Sequence, residues 1–399
     1  MMKCSVIAAA IYSVFYHLFL FASKIPMSIQ QEKRRGIMRN HEITKEQPLL
    51  NQQGNIAEPG WSKRLLQKYS RNDIKALPFR IKEWDYYLVL TNEFAVAFTV
   101  SDMGYMGLQS ASFLDFTKPW EHTESVLSVF PMGSMKMPEN TSEGVTAYKD
   151  DRVMFEFTVE NGKRHLICDF KQFDGDKDMH CDIWLTQPEM DTMVIATPWD
   201  TDHAFYYNQK INCMPAEGWV EYDGKKYEFN PETDFGTLDW GRGVWTYDNT
   251  WYWGSGNGYV NGKPFGFNLG YGFGNTSAAS ENVIFYDGKA HKLDDVTFNI
   301  PEDDYCKPWT ITSSDGRFEM DFVPIMDRSS YSNRPFYEKI EHPAFGTILG
   351  KDILGGGDHI ESDQHQVFGR MTGTAILDDG TKLEIKDLVC FAEDVHNMY

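Results

Sequence analysis

Val153-Met154-Phe155-Glu156-Phe157-Thr158-Val159, then Glu160-Asn161-Gly162-Lys163-Arg164, then His165-Leu166-Ile167-Cys168-Asp169-Phe170, reads as two short apolar strands joined at Asn161-Gly162. An Asn-Gly pair accepts the positive φ angles that a two-residue hairpin needs, so this segment predicts an antiparallel pair. The same device recurs on both sides of it. Asp223-Gly224, Asn261-Gly262, Asp287-Gly288, Asp315-Gly316 and Asp379-Gly380 each separate two short apolar runs. Upstream, Tyr86–Leu90, Phe94–Val100 and Leu108–Phe116 read as further strands. Trp61–Tyr69 carries apolar residues at helical spacing (Trp61, Leu65, Leu66, Tyr69) and predicts one short helix. No long helical period follows it. The fold class expected is all-β, and so many antiparallel strands must bury their edges in barrels or sandwiches.

The chain divides on composition. Residues 1–46 form a hydrophobic segment and a polar linker. A β-domain is expected over 47–205 and a second over 206–399, with a hinge near residues 200–215, where Thr197–Asp202 reads as a loop. The Gly- and Pro-rich stretch 332–360 reads as a loop insertion in the second domain. Cys4–Ser23 is uncharged and of about membrane-spanning length, followed by Lys24 and the basic residues Lys33, Arg34 and Arg35. A single N-terminal membrane anchor is one reading, and basic residues after it would keep the body cytoplasmic. An over-extended start, with Met27 or Met38 as initiator, is the other. A cleaved signal fits less well, because Phe21-Ala22-Ser23 is a poor cleavage context.

The charge balance, 58 acidic against 38 basic residues for a net charge of −20, argues against nucleic acid as a partner. A small apolar molecule is the partner expected, and no protein partner is inferred. Six cysteines are scattered without C-x-x-C spacing or neighbouring histidines, so neither a metal site nor a disulfide framework is expected. His365 between Gln364 and Gln366 has no His or Cys partner at metal spacing. The glycines at 254–258 and 266–274 lack a following helix and Lys-Ser/Thr, so they are not phosphate loops. No cofactor is expected.

Chemistry concentrates in Asp234–Gly258, DFGTLDWGRGVWTYDNTWYWGSGNG. Asp239 between Leu238 and Trp240 suggests a carboxyl held in an apolar setting, which favours its neutral, proton-donating form. Trp240, Trp245, Trp251, Tyr252 and Trp253 supply aromatic faces that stabilise a cation. A structural ion pair of Asp239 with Arg242 or another buried cation is the competing reading. Glu83 and Asp85 flank Trp84 and share a strand face, which suits a second carboxylate site or simple strand alternation. Tyr207, Asn208, Gln209 and Lys210 form a polar run suited to orienting a ligand head group or to lining a domain junction.

Four motifs carry a family resemblance: Ile81–Tyr87 (IKEWDYY), Tyr206–Asn212 (YYNQKIN), Asp239–Trp245 (DWGRGVW) and Ser362–Arg370 (SDQHQVFGR). In this order they resemble the DUF2804 family over roughly 43–399, with 332–360 outside the resemblance. More distantly, Asp239-Trp240-Gly241 is similar to the Asp-x-x-Trp-Gly region of hydroxyneurosporene synthase (carotenoid 1,2-hydratase) and AttH-like proteins, although here Asp239 abuts Trp240. That likeness implies tandem lipocalin-like β-barrels and an acid at the mouth of an apolar cavity that protonates an isoprenoid double bond. The function expected is binding of an apolar or isoprenoid-like molecule, with cofactor-free hydration, dehydration or cyclisation through Asp239. The candidate ligand-binding residues are Trp240, Arg242, Trp245, Trp251, Trp253, Tyr207, Asn208, Glu83, Trp84 and Gln364. A non-catalytic lipid carrier is one alternative. A carbohydrate-active enzyme using Asp239 with Asp234, Glu83 or Asp85 is another.

Overall fold

A computed structural model describes residues 40–335, 339–342, 346–349 and 359–399. The hydrophobic segment expected over Cys4–Ser23 lies outside the described residues. Among them, no helix is long and apolar enough to cross a membrane.

The hairpin that opened the sequence reading pairs Lys163 with Glu160 and Phe170 with Val153. Alternation turns Phe155, Phe157, Leu166, Cys168 and Phe170 inward, each 1 % exposed or less. At the turn, Asn161 and Gly162 have φ of 52° and 73°. Asp223-Gly224, Asn261-Gly262 and Asp287-Gly288 repeat this pair of positive angles. At Asp315-Gly316 and Asp379-Gly380 only the glycine is left-handed. The turn type therefore differs there, although the antiparallel strand pairing is the same.

Among the described residues, two curled antiparallel sheets make up the body. The first has thirteen strands; along its main path run Trp120–Val129, Met106–Asp115, Phe94–Asp102, Ile81–Leu90, Phe235–Val244, Phe205–Tyr222, Lys177–Thr186, Lys163–Asp174, Val153–Glu160 and Gly144–Lys149. It closes around its own core, where Phe98 meets Phe155 and Phe157, and Phe113 meets Tyr222. The second has nine strands and centres on Asp248–Val260, Lys382–Met398, His359–Ile376 and Phe318–Pro335. It encloses Phe265, Phe267, Phe318 and Phe322. The chain thus folds as two consecutive antiparallel β-barrel-like halves.

Three expectations are corrected. The domain boundary lies between Val244 and Asp248, not at 205/206. Thr197–Asp202 leads into a turn inside the first sheet, because Met193–Pro198 pairs with Phe205–Lys210. Trp61–Tyr69 holds the strands Gly60–Ser62 and Gln67–Lys68 instead of a helix. Its apolar residues are spent on burial against neighbouring strands, with Trp61, Leu66 and Tyr69 all buried. Finally, 332–360 does not begin as a loop: Phe318–Pro335 and His359–Ile376 stay paired out to Pro335 and His359.

A third apolar cluster joins the halves. Trp84, Tyr86, Leu88 and Tyr206 from the outer face of the first sheet pack with Trp253, Phe368 and Phe391 of the second. A polar clasp fixes their register. At a bulge between Ile211 and Met214, Asn212 Nδ2 donates to Ser255 Oγ, Asn257 Oδ1 and the Phe267 carbonyl at 2.8, 3.0 and 3.1 Å. Asn257 Nδ2 in turn donates to Thr237 Oγ1 at 2.7 Å.

Candidate functional site

The site grows from alternation along Phe235–Val244. Leu238 and Trp240 point into the first barrel with its core. Asp239 points the other way, toward the second sheet. Its cross-strand neighbours are Lys210 on one side and Tyr86 on the other. Lys210 Nζ lies 2.7 Å from Asp239 Oδ2, and Asn208 Nδ2 donates to Asp239 Oδ1 at 2.5 Å. The same ammonium sits 3.9 Å from the centre of the Trp253 ring. Leu238 and Trp240 do not themselves form the setting of this carboxylate, because both flanking side chains leave on the opposite face. Its partner is Lys210, not Arg242.

Asp239 opens onto a cavity of about 220 Å³ between the two sheets. Trp84, Trp245, Trp251, Tyr252, Trp253 and Phe273 form much of its wall. The rings brace one another: Trp84 stacks on Tyr206 at 10°, and Trp245 meets Trp84, Trp251 and Phe273 edge-on. Gly241 makes room for this arrangement, since a Cβ there would collide with the Trp84 ring.

Glu281 and Glu393 also line the cavity. Trp251 Nε1 donates to Glu393 Oε1 at 3.0 Å, and Gln366 Nε2 donates to Oε2 at 2.9 Å. Burial pushes Glu393 up to about 7, against the opposing pull of those two bonds and of Lys210 and Arg328. Burial also raises Glu281, partly offset by Lys210 and reinforced by Asp239. Three acids thus share one chamber with the ion-paired Lys210, and burial raises the two glutamates among them.

Of the residues singled out in the sequence, Trp84, Lys210, Trp245, Trp251, Tyr252, Trp253 and Gln364 line this cavity with Asp239. Asn208 touches Asp239. The others lie elsewhere. Trp240, Tyr207, Glu83 and Arg242 belong to the interior of the first barrel, because each occupies the strand face opposite the cavity. There Arg242 Nη1 donates to Asp85 Oδ1 at 3.1 Å and to the Trp84 carbonyl at 2.8 Å. Tyr69 and Arg71 donate to Glu83 at 2.8 and 2.6 Å. Trp240 lies against the Arg242 guanidinium at 4.2 Å and receives Tyr69 and Tyr207 edge-on. Asp234 accepts from the Asn230 N–H at 2.8 Å in a turn. Glu83, Asp85 and Asp234 therefore do not face Asp239 across the cavity as a pair.

Glu281, Glu393, Tyr206, Phe273 and Tyr399 were not among the sequence candidates. Glu393 carries a readable signal: Val389, Phe391 and Glu393 share one strand face, so a carboxylate continues an apolar stripe. His365 bonds Asp327 at 2.7 Å and stacks on Tyr305 at 3.8 Å, away from the cavity. Among the described residues, no group of three His, Cys, Asp or Glu side chains is placed to hold a metal ion.

Among curated proteins, none matches the sequence. Distant structural likeness extends to a protein described as an AttH candidate from Nitrosomonas europaea, with a TM-score of 0.44 and 12% identity over 82% of this chain and 93% of the other. Kievitone hydratase from Nectria haematococca gives 0.40 and 9% over 88% and 98%, and CghA 0.39 and 10% over 89% and 97%. The family described as "Domain of unknown function (DUF2804)" matches residues 40–363 and 358–399, and so includes 332–360, contrary to the narrower resemblance expected from the motifs. The chain belongs to the DUF2804 family.

Proposed function

We propose that the inter-sheet cavity binds a small, largely apolar molecule and carries out cofactor-free acid–base chemistry on it, adding or removing water or closing a ring. The observation that carries this reading is Glu393, a buried carboxyl raised to about 7 in a cavity walled by tryptophans. A neutral carboxyl at neutral pH donates a proton to an alkene or to a departing hydroxyl. The faces of Trp251 and Trp253 stabilise the carbocation so formed. Asp239, held by Lys210 and Asn208, keeps a free lone pair on each oxygen and serves as the base that takes a proton from the neighbouring carbon or from attacking water. The role expected of Asp239 thus passes from acid to base. A volume of 220 Å³ equals about seven waters, which suits a one- or two-ring compound better than a long isoprenoid chain.

Native mass spectrometry of co-purified ligand, followed by turnover assays on that compound class, tests this. Glu393→Gln should retain binding, read by tryptophan fluorescence, and lose turnover by about 10²–10⁴-fold. Full turnover in Glu393→Gln would remove Glu393 as the acid. Release of every bound ligand unchanged by the native protein would mark a carrier instead.

A further inference from the structure

A second amine lies behind the cavity wall, over two of the rings that form it. Lys82 leaves the strand Ile81–Leu90 on the same face as Trp84 and Tyr86. Its Nζ lies 4.4 Å from the centre of the Tyr399 ring, 5.3 Å from Tyr105 and 5.5 Å from Trp245. The residue is 3 % exposed. None of the described residues forms an ion pair with it or accepts its hydrogen bond. Trp245 and Tyr399 are shared between this aromatic cage and the cavity wall. Burial, with the nearby Arg80 charge second, lowers its pKa to about 7. Lys210 is the informative contrast, since its ammonium is occupied by Asp239 at 2.7 Å.

An unpaired amine in an apolar cage is a nucleophile, and aromatic faces stabilise the cation formed when it captures a carbonyl. We propose that Lys82 is a covalent capture site, condensing with the aldehyde group of a ring-bearing molecule held in the cavity. The amine lone pair attacks the carbonyl carbon to give a carbinolamine. The hydroxyl then takes a proton and leaves as water, and the nitrogen gives up its remaining proton. One amine and one aldehyde yield one imine and one water, and hydrolysis reverses the step without oxidant or reductant. The inference rests on the proposed function only in requiring that the cavity admit a small ring.

The test uses the full chain at about pH 7.5, where an amine of ordinary pKa is almost wholly protonated. Benzaldehyde with cyanoborohydride traps the imine as a benzyl amine, and peptide mass spectrometry locates it. Benzyl alcohol, which has no carbonyl, reports cavity occupancy by tryptophan fluorescence. Lys82 should label at least about tenfold faster than other lysines, and benzyl alcohol should protect it in proportion to occupancy. Lys82→Arg should bind benzyl alcohol and lose the label. Protection on the native protein supplies the readout if that variant does not fold. Binding of benzyl alcohol with Lys82 labelled no faster than surface lysines overturns the capture site and leaves the cavity reading standing. Absence of both binding and labelling overturns the two together.

Discussion

Two polar clusters lie back to back across the same strands, and they are built on opposite plans. Inside the first barrel, Glu83 and Asp85 face Arg71 and Arg242, two acids against two guanidinium groups, tied by direct bonds. Between the sheets, Asp239, Glu281 and Glu393 line a tryptophan-walled cavity with one lysine in its lining, Lys210, while Lys292 and Arg328 act on the glutamates from outside it. The first balances charge, so its groups are locked and structural. The second holds more acids than cations in its lining, and burial raises Glu281 and Glu393. Neighbours in sequence serve different clusters: Trp84 walls the cavity while Glu83 and Asp85 brace the barrel.

The comparison breaks most easily at Arg242. Arg242→Ala leaves Asp85 and Glu83 buried with half their cations, and should cost about 3–5 kcal/mol in denaturant unfolding. A loss under about 1 kcal/mol would mean that this cluster does not hold the barrel. The cavity cluster should reveal itself through pH. Glu393 moves from 4.5 to about 7 on folding, so its favourable contribution is full below pH 4.5 and is lost as pH rises through 7. The difference of about 2.5 units corresponds to about 3 kcal/mol. Glu281 titrates in the same direction, so the native protein is compared with Glu393→Gln. The variant should lack this decline while the native protein shows it, and parallel curves would contradict the buried, protonated Glu393.

Much of the fold was legible because hairpin chemistry is local. Asn161-Gly162 and its counterparts carry their turn geometry in two residues, and strand alternation does the rest. The domain boundary was not legible, since Thr197–Asp202 has the composition of a linker and serves as a turn within one sheet. In the site, Asp239 and its tryptophans stood out, yet adjacency misled: Trp240 and Arg242 follow Asp239 closely and project away from it. Lys210 sits opposite Asp239 through strand pairing that residue spacing does not reveal. Glu281 lies in the irregular stretch before Val283–Tyr286 and reaches the cavity through tertiary packing alone.

Glu393 is expected to hold a proton near neutral pH inside the inter-sheet cavity. Carbon-13 NMR of the protein labelled at glutamate side-chain carboxyls, with Glu393→Gln to assign the resonance, measures this directly. The Glu393 carboxyl should titrate with a midpoint near 7. A midpoint near the ordinary 4.5 would contradict it.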